Sequence, residues 1–258
     1  MSATYLDKIL AAHRADALAD DRPLDELVEQ ARALPPTRGF ADALRRDGLG
    51  VIAEVKRRSP SKGDLFPDLV PADVARAYER GGASCLSVLT DAEFFGGSPG
   101  DLAEARAAVS LPVLRKDFTV SARDVCDARL MGADAVLLIV AALDDEHLGW
   151  YHDLALGIGL DVLVEVHDAS ELDRAAKVGA TLIGVNQRDL VTFSVDTERA
   201  AALHPRMPAG AVTVAESGVG GPEDAAALRA VGYDAVLVGE SVVTSGDPEA
   251  AVRALASV

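Results

Sequence analysis

The chain has only five lysines and one asparagine, and two of those lysines and the asparagine stand at the ends of apolar runs. Lys56 follows Val51-Ile52-Ala53-Glu54-Val55, Lys116 follows Pro112-Val113-Leu114-Arg115, and Asn186 follows Thr181-Leu182-Ile183-Gly184-Val185. Glu165 and Glu216 end Val162-Leu163-Val164 and Val212-Thr213-Val214-Ala215 in the same way. Polar side chains are costly in buried strands unless something there needs them. A lysine in such a place can form an imine or donate a proton as a general acid. A glutamate facing it can accept or donate one, and in a partly dry cavity the two shift each other's pKa. A purely structural ion pair between Lys116 and Glu165 is the alternative reading.

These residues need a scaffold that delivers them to one place. From Gly50 onward a single unit recurs: apolar strand, polar loop, helix, then a glycine pair. Strands are expected near 50–55, 85–89, 112–115, 134–140, 161–166, 181–185, 211–215 and 235–238. Helices are expected near 71–80, 99–108, 121–131, 144–157, 168–178, 196–203, 222–230 and 247–256. Gly82-Ala83, Gly132-Ala133, Gly179-Ala180 and Gly232-Tyr233 sit where a helix must stop in a left-handed cap. The strands are apolar on both faces, as in a covered parallel sheet. The fold class is therefore α/β, a (β/α)₈ TIM barrel with an N-terminal helical extension, whose functional groups gather at the carboxyl ends of the strands. An open doubly wound sheet is the alternative. The expected organisation is one domain over 1–258, with 1–48 the extension and 49–258 the barrel. In the extension Asp7, Ile9, Leu10, His13, Leu18, Leu24, Leu27 and Val28 follow helical spacing up to the break at Pro35-Pro36, and a short helix near 40–46 follows.

Three loop signals bear on the ligand. Ser217-Gly218-Val219-Gly220-Gly221 follows the seventh strand, and Gly239-Glu240-Ser241 follows the eighth. Those are the two places where barrels hold phosphate with backbone N–H groups. Gly48-Leu49-Gly50-Val51-Ile52-Ala53 imitates a dinucleotide fingerprint, but it runs into a strand instead of following one. After the first strand, Lys56, Arg57, Arg58 and Lys62 put four cations within seven residues of an otherwise acidic chain, a loop suited to drawing in a phosphate or carboxylate. Alternation points Glu54 and Lys56 to one side. Phe94, Phe95 and Phe118, half of the phenylalanines, all fall in loops after strands two and three and suggest a flat apolar ring. His167 reads as a helix neighbour and not a ligand. The pattern H-E-x-x-H is absent and the five histidines are scattered, so no metal is expected.

Bulk properties exclude whole classes. A formal charge of −16 argues against a nucleic-acid partner, which needs a basic face. The longest apolar run, Ala135 to Leu143, is too short to span a bilayer, and the start shows no secretory signal. Two isolated cysteines, Cys85 and Cys126, suit a reducing compartment. A cytoplasmic protein without a membrane partner is expected, monomeric or a weak homodimer.

Taken in order, the segments Ile52-Ala53-Glu54-Val55-Lys56-Arg57-Arg58-Ser59-Pro60-Ser61, Leu114-Arg115-Lys116-Asp117-Phe118, Leu137-Leu138-Ile139-Val140, Leu163-Val164-Glu165-Val166-His167, Ile183-Gly184-Val185-Asn186-Gln187-Arg188-Asp189-Leu190 and Ala215-Glu216-Ser217-Gly218 closely resemble the indole-3-glycerol phosphate synthase family of tryptophan biosynthesis. The resemblance spans nearly the whole chain, the extension included. It implies a carboxy-lyase acting on a small anionic substrate, 1-(2-carboxyphenylamino)-1-deoxyribulose 5-phosphate, with ring closure and loss of CO₂ and water, and with no metal or organic cofactor.

By the same resemblance, Lys116 is the general acid at the substrate carbonyl and Glu165 handles protons during rearomatisation and dehydration. Lys56 pairs with the substrate carboxylate or donates a second proton. Glu54 and Asn186 hold these groups and the sugar hydroxyls. Glu216 and Ser217 close the site near the ribulose chain. Phe95, Phe118, Pro60 and Leu137 line the ring pocket beside Ser59, and Arg188 braces the rim. Gly218 and Gly239 belong to the phosphate cradle. Glu240 departs from the small hydroxyl residue of many relatives, so only its backbone N–H is expected to face the ligand. An imine-forming aldolase at Lys116 and a non-catalytic sugar-phosphate-binding barrel are the competing functions.

Overall fold

The computed structural model describes residues 4–60 and 62–258. The first three residues, on which the reading of the chain's start rests, and Ser61, the last residue of the first motif, lie outside them. Eight parallel strands close into a barrel. They are β1 (Gly50–Val55), β2 (Cys85–Leu89), β3 (Val113–Lys116), β4 (Ala135–Ile139), β5 (Asp161–Val166), β6 (Leu182–Asn186), β7 (Val212–Glu216) and β8 (Ala235–Val238). Closure is made by β1 pairing with β8, with Gly50 opposite Ala235 and Ala53 opposite Val238. Nearly every strand residue is buried, because the outer ring of helices covers the face that the barrel interior does not.

Local chemistry sets the helix ends. Ser98, Ser121, Asp144, Asp168 and Asp247 each accept an N–H bond from the first turn of the helix that follows. Gly82, Gly132, Gly179 and Gly232 all take the positive φ expected at the helix stops. Several boundaries differ from expectation. Lys116, Asn186 and Glu216 are the last residues of β3, β6 and β7 instead of the first loop residues, and the helix expected from 196 begins at Arg199. Val140 leaves the sheet for a 3₁₀ turn, Val140–Ala142.

The extension forms helices Tyr5–Ala19, Leu24–Arg32 and Phe40–Leu44. Its first break comes before Pro35-Pro36: Pro23 has no N–H to continue a helix, and Asp20 turns to bind Arg22. Leu18 does not share the packed face of its helix and is 89% exposed. Carboxylates seat the extension on the amino ends of the strands. Asp134 accepts from the Arg38 N–H at 2.8 Å and the Val113 N–H at 2.9 Å, and Asp161 accepts from the Ala41 N–H at 2.9 Å.

The first helix reaches the opposite rim. His13 Nε2 lies 2.9 Å from Asp91 Oδ2, just past β2, and 3.7 Å from Asp117 Oδ1, just past β3. Arg115, Thr90 and the N–H groups of Phe94, Phe95 and Phe118 satisfy the same two carboxylates. These three residues bring their ligating atoms within 4.8 Å of one another, a grouping that no spacing along the sequence displays.

Burial alone would push the His13 imidazole down, but Asp91, Asp117 and Asp124 outweigh it and hold it above its ordinary value. A raised folded-state value makes this tie strongest below the unfolded histidine value of about 6.5, and the tie weakens as pH rises through the folded one. Amide-exchange protection of the first helix, corrected for intrinsic rates, is therefore expected to fall from pH 6 to pH 9. His13→Gln should flatten that dependence; an identical dependence in both proteins would contradict the assignment.

Candidate functional site

The carboxyl ends of the strands surround a cavity of about 670 Å³. Glu54, Lys56, Lys116, Leu137, Glu165, Asn186, Glu216 and Ser217 all line it, as do Ser59, Pro60, Phe95, Phe118, Arg188, Gly218, Gly239 and Glu240. Every residue that the family resemblance assigned to the site thus opens on one space. The strand registers explain how. Ile139 and Gly184 flank Glu165, Asn186 stands opposite Glu216, and Ser87 stands opposite Glu54.

At the base of the cavity, Lys116 Nζ donates to Glu165 Oε2 at 3.0 Å and lies 3.6 Å from Glu216 Oε2. Asn186 Nδ2 donates to Glu165 Oε1 at 3.1 Å. Beside them, Lys56 Nζ donates to Glu54 Oε1 at 2.5 Å, and the Ser87 hydroxyl reaches Glu54 Oε2 at 3.4 Å. Two glycines give these carboxylates room. A Cβ on Gly184 would collide with Glu216 Oε1, and one on Gly239 would sit 2.5 Å from Glu54 Oε1 and 3.1 Å from Lys56 Nζ. Neither glycine has a positive φ, so space and not backbone freedom requires them.

Glu165 and Glu216, buried and sharing Lys116, cannot titrate independently. Desolvation would push the Lys116 ammonium down, but Glu165, Glu216 and Glu54 outweigh it and hold it well above the usual lysine range. Burial opposes ionisation of Glu165 too, yet Lys116, His167 and Asn186 keep it below the usual carboxylate range. Glu216 goes the other way. Desolvation and then the negative charge of Glu165 push it up to about 8, so near neutral pH it carries a proton. One carboxylate and one carboxylic acid therefore stand 3.0 and 3.6 Å from one ammonium.

The two walls differ. On one side Phe95 and Phe118 stand with ring centroids 6.3 Å apart, next to Leu137 and Pro60. On the other, the loops Gly218–Gly220 and Gly239–Ser241 meet, tied by the Ser241 hydroxyl donating to the Val219 carbonyl at 2.9 Å. Ser217 is left-handed at φ 65°, one of two non-glycine residues so placed among those described. The Gly220 N–H already binds Asp224 at 2.8 Å, so not every donor of the glycine loop is available. The Glu240 carboxylate lies 3.6 Å from Lys62 Nζ, which offsets its charge beside the loop.

Some expectations on the rim fail. Arg57 and Arg58 do not face the cavity: Arg57 binds Asp101 and the Leu69 carbonyl, and Arg58 binds the carbonyls of Ala92 and Glu93. Only Lys56 and Lys62 of that basic loop line it. Phe94 does not line it either, and its ring packs edge-on against Tyr5, which does the same to Phe193. Conversely, Tyr5, Leu6 and Ile9 of the first helix close the mouth, as do Leu190 and Phe193 after β6. Of these only Ile9 belonged to the helical spacing of the extension, which signalled a packed face without saying that a cavity lay under it. His167 was also passed over: its Nε2 lies 3.4 Å from Glu165 Oε1.

Comparison with known proteins agrees with this layout. A family model described as indole-3-glycerol phosphate synthase matches residues 6–255. The chain belongs to the indole-3-glycerol phosphate synthase family. It is 51% identical over 256 residues to indole-3-glycerol phosphate synthase of Mycolicibacterium smegmatis, covering 98% of this chain and 94% of that one. It is 54% identical over 230 residues to indole-3-glycerol phosphate synthase 2 of Streptomyces coelicolor, covering 89% of each. Among solved structures, the thiamine phosphate pyrophosphorylase from Pyrococcus furiosus superposes with a TM-score of 0.61 at 19% identity, over 80% of this chain and 93% of that one. That likeness is one of fold alone.

Two measurements probe the carboxylate cluster directly. By ¹³C NMR, one buried carboxyl is expected to titrate near pH 8, and Glu165→Gln should lower its midpoint by removing a neighbouring negative charge. Gly184→Ala should displace the Glu216 carboxyl, change that resonance and lower the Tm. A Gly184→Ala protein with an unchanged Glu216 titration would show that the glycine has no such part.

Proposed function

We propose that this protein is an indole-3-glycerol phosphate synthase of tryptophan biosynthesis, converting 1-(2-carboxyphenylamino)-1-deoxyribulose 5-phosphate to indole-3-glycerol phosphate with loss of CO₂ and water. The observation that carries the reading is Lys116 between Glu165 and Glu216, in a cavity that Phe95, Phe118 and two glycine loops also line. The substrate has a ring at one end and a phosphate at the other, with a carbonyl between them. Seated with its ring on Phe95, Phe118, Leu137 and Pro60 and its phosphate at Gly218 and Gly239, it brings the carbonyl to Lys116.

Chemistry follows from the charge states. The Lys116 ammonium donates its proton to the carbonyl oxygen as the carboxyl-bearing ring carbon attacks. Lys56 faces the substrate carboxylate, which leaves as CO₂ once the ring has closed. Loss of CO₂ restores the benzene ring; the hydroxyl on the former carbonyl carbon then leaves as water with a proton from Lys56, and Glu165, kept ionised, takes the proton from the carbon beside nitrogen that completes the indole. Glu54 and Asn186 hold the lysine and the glutamate in place. Glu216 and Ser217 close the ribulose side, Ser59 lies next to Pro60, and Arg188 braces the loop after β6. The phosphate takes backbone N–H groups, with the Glu240 carboxylate turned to Lys62.

An imine route fits these residues poorly. It needs a neutral amine, whereas the carboxylates around Lys116 hold the proton on. No helix among the described residues is long and apolar enough to cross a membrane, in keeping with a cytoplasmic enzyme.

Incubation with the carboxyphenylamino sugar phosphate should generate indole fluorescence. Lys116→Ala should keep the wild-type circular dichroism spectrum and lose turnover by about 10²–10⁴-fold, the usual contribution of a positioned acid. Borohydride should trap no adduct. Turnover near the wild-type level in Lys116→Ala would end this reading.

A further inference from the structure

The reaction scheme leaves one buried titratable group without a task. His167 stands one residue beyond the end of β5, two beyond Glu165, with its side chain 12% exposed. Its Nδ1 lies 3.0 Å from Glu171 Oε2, and the same oxygen accepts the His167 backbone N–H at 2.8 Å. Glu171 is itself fixed, because its N–H binds the Asp168 side chain that caps the helix Ala169–Lys177. The far nitrogen, Nε2, is buried without a hydrogen-bond partner of good geometry and lies 3.4 Å from Glu165 Oε1. A carboxylate, an imidazole and a second carboxylate thus stand in a row from the helix start to the base of the cavity.

Glu165 needs such a neighbour. Its Oε2 shares Lys116 with Glu216, and its Oε1 has only the neutral amide of Asn186 and this imidazole. We propose that His167, braced by Glu171, is a positioning residue that holds Glu165 as an oriented, ionised base by placing a cation on Oε1 while Lys116 holds Oε2. The groups facing the imidazole are Glu165 from β5 and Glu171 from the following helix. Those facing Glu165 are Lys116 from β3 and Asn186 from β6, with Glu216 of β7 beyond the lysine. Burial would push the imidazole down, but Glu165 and Glu171 outweigh it and push it up to about 10, so the ring stays charged across the neutral range.

This inference rests on the synthase reading, and the test separates the two. Wild-type enzyme that makes no indole product removes the reading. If wild type does turn over, His167→Gln decides the inference, since it keeps a hydrogen-bond donor and deletes the charge. The expected result is a kcat about tenfold or more lower with KM within about twofold, the pattern of a lost transition-state interaction. Removing the cation raises the Glu165 pKa. The ratio of kcat at pH 5 to kcat at pH 7.5 should therefore fall about threefold or more below wild type. Glu171→Gln should move both quantities in the same direction by less. In wild type, ¹⁵N NMR should show both His167 ring nitrogens protonated at pH 7.5. Three results would overturn the inference. The first is a His167→Gln enzyme with wild-type kcat and pH ratio. The second is a loss of activity that tracks a lower Tm while the pH ratio is unchanged. The third is an imidazole that titrates near the ordinary value of about 6.5.

Discussion

Charge compensation among side chains buried at the strand ends governs this molecule. The barrel puts three glutamates and two lysines on its carboxyl rim, and all of those carboxylates are at least nine-tenths buried. Uncompensated, each buried charge would cost several kcal/mol. The structure answers with pairs: Lys56 on Glu54, and Lys116 between Glu165 and Glu216. One carboxyl remains in excess, and it keeps its proton. This proton inventory makes the cluster chemically asymmetric, with an acid and a base within reach of one ammonium. Gly184 and Gly239 belong to the same arrangement, since the pairs close only where those strands and loops present no side chain.

Everything around the rim serves to keep that cluster dry and fixed. The extension is attached at both ends of the barrel. Asp134 and Asp161 seat its later segments on the amino ends of the strands, while His13 ties its first helix to the loops after β2 and β3. Tyr5 then sits edge-on between Phe94 and Phe193, so loops from distant strands meet the same helix at the cavity mouth. Attachment at the base is through the carboxylates of buried Asp134 and half-buried Asp161 on backbone N–H groups. Attachment at the mouth runs through one histidine and a few aromatic edges.

The strands, their order and the residues at their ends were legible in the sequence because each is a local signal: an apolar run, a polar terminus, a glycine stop. What a side chain meets across the fold was not. Arg57 and Arg58 looked like Lys56 and Lys62 in a basic loop, yet their partners lie some 12 to 44 residues away and turn them outward. Leu18 shared the helical spacing of buried neighbours, but the barrel ends before it and leaves it in solvent. His167 was read from its loop position, and only the register of β5 against β6 shows where the Glu165 it faces is aimed. Helical spacing found a packed face around Ile9, while the cavity beneath that face is lined by residues of all eight strands.

The likeness of fold to the pyrophosphorylase at 19% identity shows how little the barrel itself decides. A barrel offers eight strand ends and two loops suited to phosphate, and many reactions can be built there. Selection among them comes from the protonation states. An imine-forming lysine must shed its proton, which a barrel achieves by placing the amine among apolar or cationic neighbours. Here three carboxylates surround Lys116 and do the opposite. The same charges that make it a poor nucleophile make it a proton donor whose conjugate base is immediately restored, because Glu216 stands protonated 3.6 Å away. In the proposed reaction a proton is needed at the carbonyl before one is released from the ring. A cluster that starts with the acid forms of Lys116 and Glu216 and the base form of Glu165 meets that order, and one proton returns from solvent in each turnover, because a carboxylate substrate that loses CO₂ and water consumes one.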